Sequence, residues 1–282
     1  MNRHAIGIGA IAAAVMLLAT GGLALASDDT RYPNLKGQWS RIGPGSYDPA
    51  KPPGLGQEPP LTPEYQAIFA ANIADQVAGG QGDDPSYKCV PAGMPRAMIV
   101  IQPMEIVVTP ETTYITLEYF RMRRRIYTDG RNWPENPQPQ FMGYAIGKWL
   151  DETGAGRFDV LQVETRNIKG PHTYDSSGIP FHQDGQAVVK ERIFLDRSDP
   201  DILHDEITTF DHALTRPWTV TRSAHRQRDT KKVIWSEYVC SEDNHHVAIG
   251  KENYVRSADG HLMPVRKGQL PPDLRYFEPT LK

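Results

Sequence analysis

The sequence predicts a mainly β fold: an antiparallel barrel-like domain with one N-terminal helix at about residues 62–77. Two observations lead there. From about residue 97 to residue 240, β-branched and aromatic residues come in short runs between turn residues, the pattern of consecutive strands joined by tight turns. Only the stretch after Thr62 places apolar residues at helical spacing. Closure into a barrel follows because it removes the exposed sheet edges that such a meander would otherwise carry.

The first 26 residues stand outside this fold. Arg3 and His4 precede an apolar run from Ala5 to Leu25, ending in Ala24-Leu25-Ala26. A basic start, an apolar middle and small residues at the end predict a signal peptide cleaved after Ala26, in preference to a membrane anchor. The expected location is periplasmic or secreted. With no twin-arginine pair and no cysteine directly after the cleavage point, neither the twin-arginine export route nor a lipid anchor is expected, and no stable membrane association follows cleavage. Residues 27–282 are then one domain, long enough to bury a sizeable core and ending in a polar tail from 256. Lys and Arg number 31 against 34 Asp and Glu, a net charge of −3, which gives no general attraction for nucleic acid. The two cysteines, Cys89 and Cys240, are expected to form a disulfide in an oxidising compartment.

Taken in order, Leu35-Lys36-Gly37-Gln38-Trp39-Ser40 reads as a first strand, and its Gly-x-Trp resembles the opening of lipocalin-type barrels, whose tryptophan closes the barrel bottom. The prolines and glycines of 43–60 leave a loop. Thr62 can cap the helix, Pro63 suits its first turn, and Tyr65, Ile68, Phe69, Ile73 and Val77 form its stripe, stopped by Gly79-Gly80. Ala97–Gln102, Met104–Val108, Tyr114–Phe120 and Arg123–Tyr127 read as strands, followed by an Asp129-Gly130 hairpin signal. Further strands are expected at 143–150, 158–165, 186–195, 202–210, 217–226 and 231–240. The long loop at 166–184 carries His172, Tyr174 and His182, and loops of that length in compact domains are often functional.

An ordered set of motifs spans most of the chain: Leu35-x-Gly37-x-Trp39, Cys89-x-Pro91-x-Gly93-x-Pro95-Arg96, Pro103-Met104-Glu105-Ile106, Arg125-Ile126-Tyr127-x-Asp129-Gly130-Arg131, Gly143-x-x-Ile146-Gly147-x-Trp149, Glu191-Arg192, Pro217-Trp218-Thr219 and Glu237-Tyr238-x-Cys240. In this the chain resembles an uncharacterised family of exported bacterial proteins with a lipocalin-like start. The resemblance implies a lipocalin- or calycin-like barrel and no particular activity. Where such proteins read Gly-His-Ser-Ile-Gly, this chain has Gly143-Tyr144-Ala145-Ile146-Gly147, so a histidine is missing.

Alternation along strands selects the side chains that face a barrel interior. It puts Glu191 among Val189, Ile193 and Leu195, and Arg222 among Trp218, Val220 and Ala224. At 202–210 it favours His204 and Glu206, although Leu203 and Ile207 argue for the other face. At 114–127 both faces stay open, one with Glu118 and Arg124, the other with Tyr119, Arg125 and Tyr127. Buried charges need partners, and Arg222 is the first candidate for Glu191. The histidines show no metal-ligand spacing, so no metal and no cofactor are expected. No nucleophile elbow or phosphate-binding loop is present.

Two functional classes remain. In the first, an internal cavity performs cofactor-free acid–base chemistry of lyase, dehydratase or isomerase type on a small, partly apolar or aromatic molecule. Glu191 or Glu118 would act as base, Tyr127 or His182 as acid, and Arg125 or Arg222 would hold a developing anion. Arg131, Trp133, Trp149, Tyr119 and His172 are candidate substrate contacts. In the second, the same barrel only binds or carries such a molecule.

Overall fold

The computed structural model describes residues 31–43, 58–229, 235–236, 239–240, 246–249, 252–257 and 261–272. The predicted signal peptide, its cleavage point and most of the expected strand at 231–240 lie outside the described residues. Nine strands close a barrel in sequence order: β1 (Gln38–Ile42), β2 (Met104–Val108), β3 (Thr112–Leu117), β4 (Arg123–Tyr127), β5 (Tyr144–Leu150), β6 (Val160–Arg166), β7 (Val188–Leu195), β8 (Ile202–Phe210) and β9 (Trp218–Gln227), with β9 pairing back to β1. The predicted barrel is therefore present, within about two residues at most strand ends.

Every neighbouring pair is antiparallel except β4 and β5, which run parallel. An odd number of strands cannot close with antiparallel pairs alone, so one parallel pair is a geometric requirement. The Asp129-Gly130 signal is thus not a hairpin; it opens the connection that carries the chain back along the barrel before β5. Two joins are short. β4–β5 has two residue pairs in register, Ile126↔Ala145 and Tyr127↔Ile146, and β1–β2 also has two, Gln38↔Glu105 and Trp39↔Met104. Below the second join, residues 32–36 part from β2 and leave a groove of about 400 Å³ along Ile106, Val107 and Val108.

Alternate residues of each strand fill the barrel: Ile115 and Leu117 from β3, Leu161 and Val163 from β6, Val189 and Ile193 from β7, Leu203 and Ile207 from β8, Val220 and Ala224 from β9. On β8 the inward face is therefore the one with Leu203, Asp205 and Ile207, and His204 and Glu206 face away, opposite to the expectation. The apolar residues decide, because turning them out would expose them while burying charges. At one end Trp149 packs with Tyr32 and Phe158, ring centroids 5.4 and 6.5 Å away. Trp39 is buried, donates its indole N–H to the Leu35 carbonyl at 3.0 Å, and carries the Arg226 guanidinium over its ring at 4.3 Å.

The other end is closed by chain outside the wall. The expected strand at Ala97–Gln102 is instead a 3₁₀ turn, Arg96–Met98, followed by irregular chain. Ala97, Met98 and Ile99 are all buried in succession, which a strand in a barrel wall cannot achieve, because this segment lies across the mouth as a plug. The helix α1 (Pro63–Val77) is capped by Thr62, whose hydroxyl accepts from the Tyr65 N–H. Its stripe is narrower than predicted: Phe69 is buried, but Val77 and Ile68 are exposed, and polar Asn72 is buried in their stead. Asn72 donates to the carbonyls of Ser177 and Gly178 at 2.6 and 3.1 Å and accepts the Asp83 N–H at 2.7 Å, pinning the long loop. Cys89 and Cys240 form the predicted disulfide, Cα atoms 5.5 Å apart. Beyond the barrel, a small antiparallel sheet of β10 (His246–Ile249), β11 (Glu252–Arg256) and β12 (Leu262–Pro264) forms, its last strand within the chain expected as a polar tail from 256.

Candidate functional site in the barrel interior

Ionisable residues converge inside the barrel. Glu191 points inward as predicted, but its partner is Arg124, not Arg222. The Arg124 guanidinium meets the Glu191 carboxylate with both terminal nitrogens, Nη1 donating to Oε1 at 2.7 Å and Nη2 to Oε2, and Nη2 also donates to the Thr165 hydroxyl at 2.8 Å. All three side chains are almost fully buried. Sequence alternation left the face of Arg124 undecided, and the structure decides it through the turn at Glu118–Arg121, where Phe120 and Arg121 adopt φ of 53° and 49°. That turn resets which face the following residues present.

Asp205, from the β8 face that was not expected inside, lies beside this pair. Burial, and then the negative charge of Glu191, push its carboxyl well above the usual range, with Arg124 opposing. The protonated acid is the form this setting favours, since two carboxylates so placed cannot both ionise cheaply next to a single arginine. Asp205 therefore does not serve as counter-ion to Arg222, although the two are opposite each other across β8 and β9. Arg222 stands next to the buried Tyr174 hydroxyl, which burial drives up to about 12. Its charge depresses Arg41 on β1, second to burial itself. Among the described residues Arg222 has no carboxylate partner, and its Nε makes no hydrogen bond.

Arg41, Arg222 and Asp205 line a cavity of about 20 Å³ whose other walls include Trp39, Met98, Met104, Leu117 and Leu203. That is room for about one water. The plug forms its roof. On the plug's outer side, Arg96, Ile99, Ile101, Tyr119 and Asp175 line a cleft of about 390 Å³. Val100 and Gln102 border both spaces. Arg96 is held by Asp84 through two hydrogen bonds of 2.5 and 2.9 Å.

The remaining predicted residues do not join this site. Glu118 is buried near the plug and accepts the Ser236 hydroxyl. Tyr127, Arg131 and Trp133 meet at an exposed rim, where the Arg131 guanidinium covers the Tyr127 ring at 3.8 Å and pairs with Asp129. Arg125 faces outward over Tyr114 at 5.9 Å. Trp149 is core. His172 is buried against Phe181, ring centroids 5.4 Å apart, and burial lowers its imidazole to about 4, so it is neutral. His182 sits on the long loop near Asp184 and His212, away from the cavity lining. No family model matches this chain and no curated protein matches it, so its function is read from this geometry alone.

Proposed function

We propose that the protein is an exported barrel that binds a small organic anion with an apolar or aromatic body, its acidic group seated on Arg222. The observation that carries this reading is Arg222 itself: a cation facing an apolar-walled cavity, with its nearest potential counter-ion, Asp205, held in the neutral form. A charge so placed favours an external anion. The cavity is too small for such a ligand while the plug is seated, so binding takes the place of Val100 and Gln102 and merges the inner cavity with the outer cleft. Export is supported by the N-terminal apolar segment and by the Cys89–Cys240 disulfide.

Asp205 also favours a second reading. A protonated carboxylic acid within reach of a bound anion is a proton donor, so cofactor-free acid–base chemistry would use Asp205 as its acid. Glu191 is then not the base, because Arg124 occupies both of its oxygens. Native mass spectrometry after soaking with benzoate and cinnamate tests both readings. Retention by the wild type and its loss in Arg222→Met supports binding; equal retention in the variant refutes it. A ligand retained unchanged by Asp205→Asn but converted by the wild type identifies the enzyme.

A further inference from the structure

Away from the cavity lining, two loops bring together residues that no sequence spacing connects. His182 and Asp184 lie on the chain leading into β7, and His212 on the turn between β8 and β9. The Nδ1 atoms of His182 and His212 approach the same Asp184 oxygen, Oδ2, at 3.2 and 2.6 Å. One ligand atom from each of the three side chains lies within 4.8 Å of the other two. We propose that His182, Asp184 and His212 bind one divalent transition cation of the zinc class. This site is independent of the anion reading.

The donor set suits that cation. Two neutral imidazoles and one carboxylate are borderline ligands favoured by first-row divalent ions and poor for calcium or magnesium. At metal–ligand distances of about 2.0–2.2 Å, tetrahedral donors stand roughly 3.3 Å apart. The His182–Asp184 separation already matches. His212 must withdraw by less than an ångström, and its side chain, 63 % exposed, is free to do so. The remaining coordination position opens to solvent.

The ligands are also held from behind. Asp211 Oδ1 accepts the backbone N–H groups of His182 and Ala213, both at 2.8 Å, and so clamps the two loops together. Its other oxygen, Oδ2, is buried and makes no hydrogen bond. The Gln186 N–H donates to Asp184 Oδ1 at 2.9 Å, which leaves Oδ2 for the cation. The Tyr65 ring of α1 lies 5.9 Å from the His182 ring. The His212 imidazole hydrogen-bonds Asp184 Oδ2, while His182 Nδ1, 3.2 Å from the same oxygen, is buried and makes no hydrogen bond.

The test is zinc titration of the purified, tag-free, chelator-stripped protein against a chromophoric competitor, with thermal melting followed in parallel. One equivalent should bind and raise the melting temperature. His212→Ala and Asp184→Asn should each weaken binding at least tenfold, since losing even a supporting residue costs about 10–100-fold. His225→Ala, on the exposed face of β9, should bind like the wild type. His212→Ala should keep the wild-type circular dichroism, which separates loss of a ligand from loss of the fold. Absence of stoichiometric binding, or binding unaffected in both His212→Ala and Asp184→Asn, overturns the proposal.

Discussion

Arg124, Glu191 and Asp205 share one buried positive charge between two acids, and this makes their contributions non-additive. Replacing Glu191 with Gln strands Arg124 only until Asp205 ionises in its place. The acid is already adjacent, and losing the Glu191 charge removes one cause of its raised proton affinity. Asp205→Asn alone replaces a neutral acid by a neutral amide of the same shape. Each single change should therefore cost about 1–2 kcal/mol or less. The double variant leaves Arg124 with no anion and should lose about 3–5 kcal/mol, the usual penalty for an uncompensated buried charge. Urea unfolding of the four proteins checks this; a double variant equal to the sum of the singles would show that Asp205 does not substitute for Glu191. At this scale the sequence was half legible. Glu191 was found because Val189 and Ile193 flank it in strict alternation. The face of Arg124 stayed undecided because two consecutive left-handed residues, unreadable in the sequence, shift the alternation before it, and Asp205 was hidden by His204 and Glu206, which mimic a polar inward face.

At the scale of elements, a strand is easy to read where one face is apolar and the other polar, and β6 and most of β9 meet that condition. The plug does not. Ala97–Gln102 is as apolar as any strand here, but composition alone does not separate chain lying in a wall from chain lying across its mouth. The same limit applies to α1, whose buried Asn72 could not be anticipated from an apolar stripe. Asn72 binds the long loop through the Ser177 and Gly178 carbonyls and the 81–96 loop through the Asp83 N–H, and its removal leaves the Gly178 carbonyl and the Asp83 N–H without that partner, Gln76 still donating to the Ser177 carbonyl. Asn72→Ala should destabilise by about 1–3 kcal/mol, measured as a lowered denaturation midpoint. A midpoint unchanged within error would mean that water replaces the amide and that the loop is held by other contacts. The three-stranded sheet from β10 to β12 was missed because its strands are only three to five residues long, too short to show the alternation that marks the barrel strands.

For the whole molecule, closure and disulfide were both legible, because they follow from strand count, edge protection and compartment. The disulfide joins residues 151 apart in sequence, and in the chain-entropy description a loop of that length contributes about 5 kcal/mol. The order of strands was legible too, but not the parallel join, which depends on the parity of the strand number. Amide exchange should resolve the barrel into parts. Amides at the two-pair joins β1–β2 and β4–β5 should exchange ahead of those between β7 and β8, which share eight pairs in register. Uniform protection around the barrel would show that it opens only as a unit.

Those two short joins bracket β2, β3 and β4. Mechanically, the wall is a six-strand shell with a three-strand panel set into it along two short seams, and the plug leads directly into the first strand of that panel through Pro103. The buried pair of Arg124 on β4 and Glu191 on β7 bolts the panel to the shell from inside, so a loosening of the panel that also moved the plug would first have to part those two charges.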